Sequence, residues 1–99
     1  MGEREFLQVD PATLHLPGGR RDGVDPMKLH HQMARHGMSV AGMPPLEVSR
    51  GIDGELVIND GVTRATRVAK YFPGTTMTVE VTGMIHAAVG GLPTVKERL

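Results

Sequence analysis

The residues best suited to chemistry lie in "INDGVTRATRVAK", residues 58 to 70, where an acidic residue and a glycine precede a threonine and two arginines. Asp60-Gly61 stands where a β-rich run hands over to a helical pattern. The free N–H groups of the first helical turn then point out of the end of the strand, where an anion can reach them. Gly61, lacking a Cβ, lets a ligand come close to that backbone. Arg64 and Arg67 follow three positions apart on one predicted helical face, clear of the apolar stripe Val62, Ala65 and Ala69. Their planar forks match phosphate oxygens better than a lysine point charge does. Thr63 adds a hydroxyl, and Arg20 and Arg21 in "PGGRRDG" close over the same place if the first loop folds back. Gly61, Thr63, Arg64, Arg67, Arg20 and Arg21 therefore form a candidate phosphate seat, with Asp60 and Arg64 as its candidate catalytic pair.

A plainer reading uses the same residues. Asp60-Gly61 is then a helix cap and tight turn, and Arg64 and Arg67 form a solvated face paired to Asp60 or Glu55. Asp60 also opposes a bound phosphate, unless it caps the helix and turns away or holds a metal ion, such as magnesium arriving with a nucleotide. Glu47, the other acid near the turn, alternates with Leu46 and Val48 and is expected to face water. Of five histidines, His30, His31 and His36 share one predicted helix, but no two are four apart, so no metal site is expected there. His15 and His36 remain candidates for proton transfer if the fold brings either to Arg64.

The totals limit what surrounds this site. Eleven basic and eleven acidic side chains in 99 residues cancel, so no overall field draws the protein onto DNA or an anionic membrane. Anion binding must be local. Cysteine is absent, which removes disulfides, thiol nucleophiles and thiolate metal ligands. Three aromatics, Phe6, Tyr71 and Phe72, are few for a platform that stacks single-stranded bases. Seven methionines read as filling for an irregular core. The opening "MGEREFLQV" is charged where a signal peptide is apolar, and nowhere do about eighteen apolar residues run together. A single domain without a membrane span, cytoplasmic by default, is expected. A toxin module cut from a longer secreted chain would read the same.

The elements that position the turn follow from periodicity and punctuation. "EFLQV" reads as a first strand, followed by a long irregular loop rich in proline, glycine and aspartate. Asp25 as a cap, Pro26 at the first position and Gly37 past the last turn bound a helix over 26–36, with Leu29 and Met33 on its apolar stripe. "PPLEVSRGIDGELVIN" reads as a hairpin through Asp53-Gly54, with strands near 45–50 and 55–59. The second helix runs from Asp60-Gly61 to the stop at Pro73-Gly74. Alternation in "TTMTVEVTG" gives a last strand near 76–82. The order β-α-β-β-α-β makes an α+β domain with a small mixed β-sheet and two main helices. Residues 84–99, broken by glycine and proline, are expected to be an irregular tail.

Over roughly residues 6 to 82 the chain resembles the ParB/sulfiredoxin superfamily, including its ParB-like nuclease domains. The resemblance is carried by "QVDPATLHLP", a helix before a glycine, the run "PPLEVSRGIDGELVINDGVTRATRVAKY" with its glycine, two variable residues, arginine and helix, and the strand "TTMTVEV". It implies that Gly61 and Arg64 contact the phosphate of a nucleotide or of a nucleic acid backbone. It also implies an activity drawn from nucleases, nucleotide hydrolases and phosphotransferases. Val62 and Thr63 depart from the pattern, standing where partition-type members carry glutamate and arginine; valine can neither move a proton nor bind magnesium. The missing cysteine rules out sulfinic-acid reduction. The alternative function is a non-catalytic interaction or assembly module, a homodimer for instance, and the alternative fold is a ferredoxin-like sandwich of the same element order.

Overall fold

The structure, a computed structural model, describes residues 3–20, 23, 26–36 and 44–99. Strand β1 (Glu5–Val9), helix α1 (Pro26–His36), strands β2 (Leu46–Gly51) and β3 (Leu56–Asp60), helix α2 (Val62–Tyr71) and strand β4 (Met77–Ile85) follow in the expected order. Asp25, Gly37 and Arg21 lie outside the described residues, as do the side chains of Arg20, Met33 and His36.

Sheet order is β1-β4-β2-β3. β1 and β4 are antiparallel, as are β2 and β3, while β2 and β4 run parallel at the centre. The ferredoxin-like alternative, antiparallel throughout, has no such pair. Leaving the edge strand β3, the chain passes through α2 and returns beyond β2 as β4, because a parallel neighbour cannot be reached by a tight turn. The site therefore sits where an edge strand ends and the crossover begins.

Alternation decides which face each strand buries. In β2, Leu46 and Val48 are wholly buried while Glu47 between them is exposed, as expected. The Asp53-Gly54 turn forms as read: Gly54 takes φ 83°, a conformation open to glycine, and Gly51 N–H bonds Glu55 O at 2.8 Å. The core gathers Leu46, Val48, Ile58 and Val79 from the sheet with Val62, Ala65 and Ala69 from α2. Fully burying each such Leu, Ile or Val side chain contributes about 1.5–3 kcal/mol.

Two segments depart from expectation. In the described part of the first loop Asp10 caps a 3-10 turn, Pro11–Thr13, accepting from Ala12 N–H at 3.0 Å, and Leu14 and Leu16 beyond it belong to the core. Residues 84–99 are irregular beyond Ile85, apart from a 3-10 turn, but they pack against the core. β4 runs on to Ile85, Leu16 N–H bonds Pro93 O at 2.8 Å, Val95 N–H bonds Leu14 O at 2.9 Å, and Val89 and Val95 are buried. Glycine and proline broke the periodicity without removing the two apolar anchors. Of the methionines whose side chains are described, Met77 packs on the core, while Met27 and Met84 are exposed. No helix among the described residues is long and apolar enough to cross a membrane.

Candidate functional site

β3 ends at Asp60, and α2 starts at Val62, with Gly61 between them as the N-cap residue at φ 110° and ψ 21°. A side chain at Gly61 would meet Leu46 Cδ2, which is locked in the core, and would come to 3.4 Å from Arg64 Nη2. Both the positive φ and the contact demand glycine. The first intrahelical bond runs from Ala65 N–H to Gly61 O at 2.9 Å, and Gly61 supplies no side-chain cap. Among the described residues, the amides of Val62, Thr63 and Arg64 are thus left without a partner.

These amides border a cleft of about 310 Å³ lined by Pro17, Lys28 and the run from Asn59 to Arg64. Arg64 is half-buried, and its Nη1 donates to the Pro44 carbonyl, which holds the guanidinium against the turn. Lys28 reaches the cleft from α1, which packs on α2. Asp60 is exposed at the rim and, among the described residues, makes no side-chain hydrogen bond, so it does not cap the helix. Asn59 is fixed by its neighbours: its Oδ1 accepts from Ser49 Oγ at 2.9 Å and its Nδ2 donates to Thr82 Oγ1 at 3.1 Å.

Asp60, Gly61, Thr63 and Arg64, neighbours in one turn, all line the cleft. Arg67 does not line it. That side chain is fully buried, because α2 is enclosed by the sheet, α1 and the Pro11–Thr13 turn, so six of its ten residues are buried, not one stripe. Burial, and then the Arg64 charge, hold the Arg67 guanidinium below its usual range. Its guanidinium is withdrawn from solvent. Of the first loop's contribution, the described part that lines the cleft is Pro17.

Among the described residues, neither Asp60 nor Glu55 forms an ion pair with Arg64 or Arg67. Glu55 turns to His15, whose Nε2 lies 3.3 Å from Glu55 Oε1 while Nδ1 contacts Leu92 O at 2.8 Å. His15 is buried beside β3, where its backbone bridges to Val57, and does not line the cleft. Among the described residues, no group of three or more His, Asp or Glu is placed to hold a metal ion.

Sequence reasoning missed Lys28 and Asn59. The signal for Lys28 was available in part: Leu29 marks the buried side of α1, and Lys28 beside it is exposed. Its convergence on Arg64 depends on helix packing, which periodicity alone does not give. Compared with family models, with curated proteins and with solved structures, the chain shows no significant match.

Proposed function

We propose that the protein is a phosphate-binding domain that takes a nucleotide or a stretch of nucleic acid backbone at the β3–α2 turn, in the manner of the ParB/sulfiredoxin superfamily. The observation that carries this reading is the convergence of Lys28 and Arg64, from two helices, on the uncapped start of α2 in one open cleft. Donors and positive charge then face the same space, with Gly61 allowing close approach. Thr63 adds a hydroxyl donor.

Binding is the activity these groups support most directly. Asp60 is the single carboxylate among the described lining residues. Magnesium is commonly held by one or two carboxylates together with substrate phosphates, so Asp60 suits an ion that arrives with a nucleotide. If the site turns substrate over, Asp60 is the group to hold that ion or orient water, and Arg64 the group to stabilise phosphoryl charge.

Thermal unfolding of the intact protein with pyrophosphate and with nucleoside triphosphates, with and without magnesium, tests the reading. Ligand at a hundred times its Kd is expected to add about 2.7 kcal/mol of stability. Arg64→Ala is expected to abolish that gain. A melting temperature unmoved by every one of these ligands rejects the reading.

A further inference from the structure

We infer that the protein joins a second copy of itself through β1, with the two edge strands antiparallel about a two-fold axis at Leu7 and the two sheets continuing into one. The two edges of the four-stranded sheet are finished differently. β3 is closed: His15 bridges Val57, its N–H bonding Leu56 O at 3.0 Å and its carbonyl accepting from Ile58 N–H at 3.0 Å, and Thr94 bridges His15 in turn. β1 lacks such a cover. Among the described residues, no backbone group of Glu5–Val9 bonds outside the β1–β4 pair.

Sheet edges that stay single are usually blunted by a proline, a lysine, a bulge or an inward charge. "EFLQV" holds neither proline nor lysine, and its five pairs with β4 run without a register shift. Its acid, Glu5, is neutralised by Arg50, whose Nη2 donates to Oε2 at 2.6 Å. The apolar rows also stop short here. Val79 in β4 is wholly buried, whereas Leu7 opposite it is only partly covered, as is Val9, and Phe6 on the other face is 45% exposed. A strand laid beside β1 extends the sheet on both faces and covers these side chains.

The strand's own sequence suits it as that partner. With the axis at Leu7, Leu7 faces Leu7, Phe6 faces Gln8, Glu5 faces Val9, and Arg4 faces Asp10 of the other copy. Unlike charges thus meet at both ends of the seam, which stabilises strand pairing. An in-register parallel pair would set Arg4 beside Arg4 and Glu5 beside Glu5. Arg4 already pairs with Glu80 at 2.8 Å, and Asp10 accepts from Ala12 N–H. Paired strands nevertheless lie well within the ~8 Å screening length, so both charges still act across the seam. Such a contact is isologous and closes at two copies. β3, with the cleft at its end, lies at the opposite edge, so both clefts stay open in the pair.

Sedimentation equilibrium of the full chain from about 10 µM to about 1 mM is expected to show a monomer–dimer equilibrium with Kd on the order of 100 µM, since five-residue strands bury a small interface. Phe6→Lys, which sets a lysine on the exposed edge, is expected to weaken it by about tenfold or more while keeping the far-UV spectrum of the folded chain. The chain has no cysteine, so an introduced thiol reports its own neighbour. Leu7→Cys is expected to cross-link in a glutathione redox buffer, because directly opposed Cα atoms lie about 4.5–5.5 Å apart, within disulfide reach. Val9→Cys is expected to stay free, as the two copies of that residue lie about 13 Å apart along the strands. A chain that stays monomeric up to about 1 mM overturns the inference and leaves the edge to an extended segment of another protein. A dimer untouched by Phe6→Lys, or cross-linked through Val9→Cys as readily as through Leu7→Cys, overturns it by placing the contact on another face or in another register.

Discussion

The start of α2 and the hairpin–tail junction around His15 both set charged side chains beside a cavity, yet their polar groups are disposed in opposite ways. At the junction, donors and acceptors meet one another. Asp53 accepts from Gly90 N–H at 2.8 Å and from Glu55 N–H at 3.3 Å, His15 lies between Leu92 O and Glu55, and Glu97 accepts from both Thr94 N–H and Thr94 Oγ1. Among the described residues, the three first-turn amides, Lys28 and Thr63 at the start of α2 find no partner, while Arg64 is tied to Pro44 and Asn59 to Ser49 and Thr82. Satisfied polar groups hold a fold together, whereas aligned donors facing solvent are ready for a ligand. Titratable residues beside a cavity therefore say little until their partners are counted.

The comparison is open to breakage on its structural side first. Leu14→Ala removes a side chain 1% exposed that holds the first loop against Val95, and is expected to cost about 3 kcal/mol in chemical denaturation. A frayed tail would leave that change mild. Gly61→Ala comes next: the positive φ and the meeting with Leu46 are expected to cost about 2 kcal/mol and to remove pyrophosphate-induced stabilisation as well.

Smaller effects sharpen the contrast. Arg64→Ala is expected to change the melting temperature of the free protein little while removing its response to pyrophosphate. Glu55→Gln, at the junction, is expected to leave that response intact, as thermal unfolding would show. The smallest effect is a pH dependence. Glu5 and Glu80 are held below the usual carboxylate range by hydrogen bonds from Arg50 and Arg4, Asp53 by Gly90 N–H, and Glu97 by Thr94 N–H. The unfolded chain binds these protons more readily. Their stabilisation is thus complete above the unfolded carboxylate range and is lost as pH falls through the lower folded values. The melting temperature should drop on acidification through and below that range, and Asp53→Asn should flatten the slope.

How much of this was legible depended on whether a residue's role was local. The Asp53-Gly54 turn, the span of α1 and the Gly61–Arg64 turn were written in neighbouring residues, and they stand where the sequence put them. Arg67 was misread because its burial comes from α1 and the Pro11–Thr13 turn closing on α2, which its own helix does not announce. Leu14, Leu16 and Val95 were hidden for a similar reason. Each sits among loop-forming residues, and only the backbone bonds between two irregular segments make them core. Lys28 was hidden by the same dependence on how two helices meet.

The central claim, that the uncapped amides after β3 receive an anion, is tested most directly by NMR titration of the isotopically labelled full chain with pyrophosphate. The account predicts that the amides of Val62, Thr63 and Arg64 shift most while those of Leu14, Gly90 and Thr94 stay still. Saturable shifts centred on the hairpin–tail junction, or none at the start of α2, would contradict it.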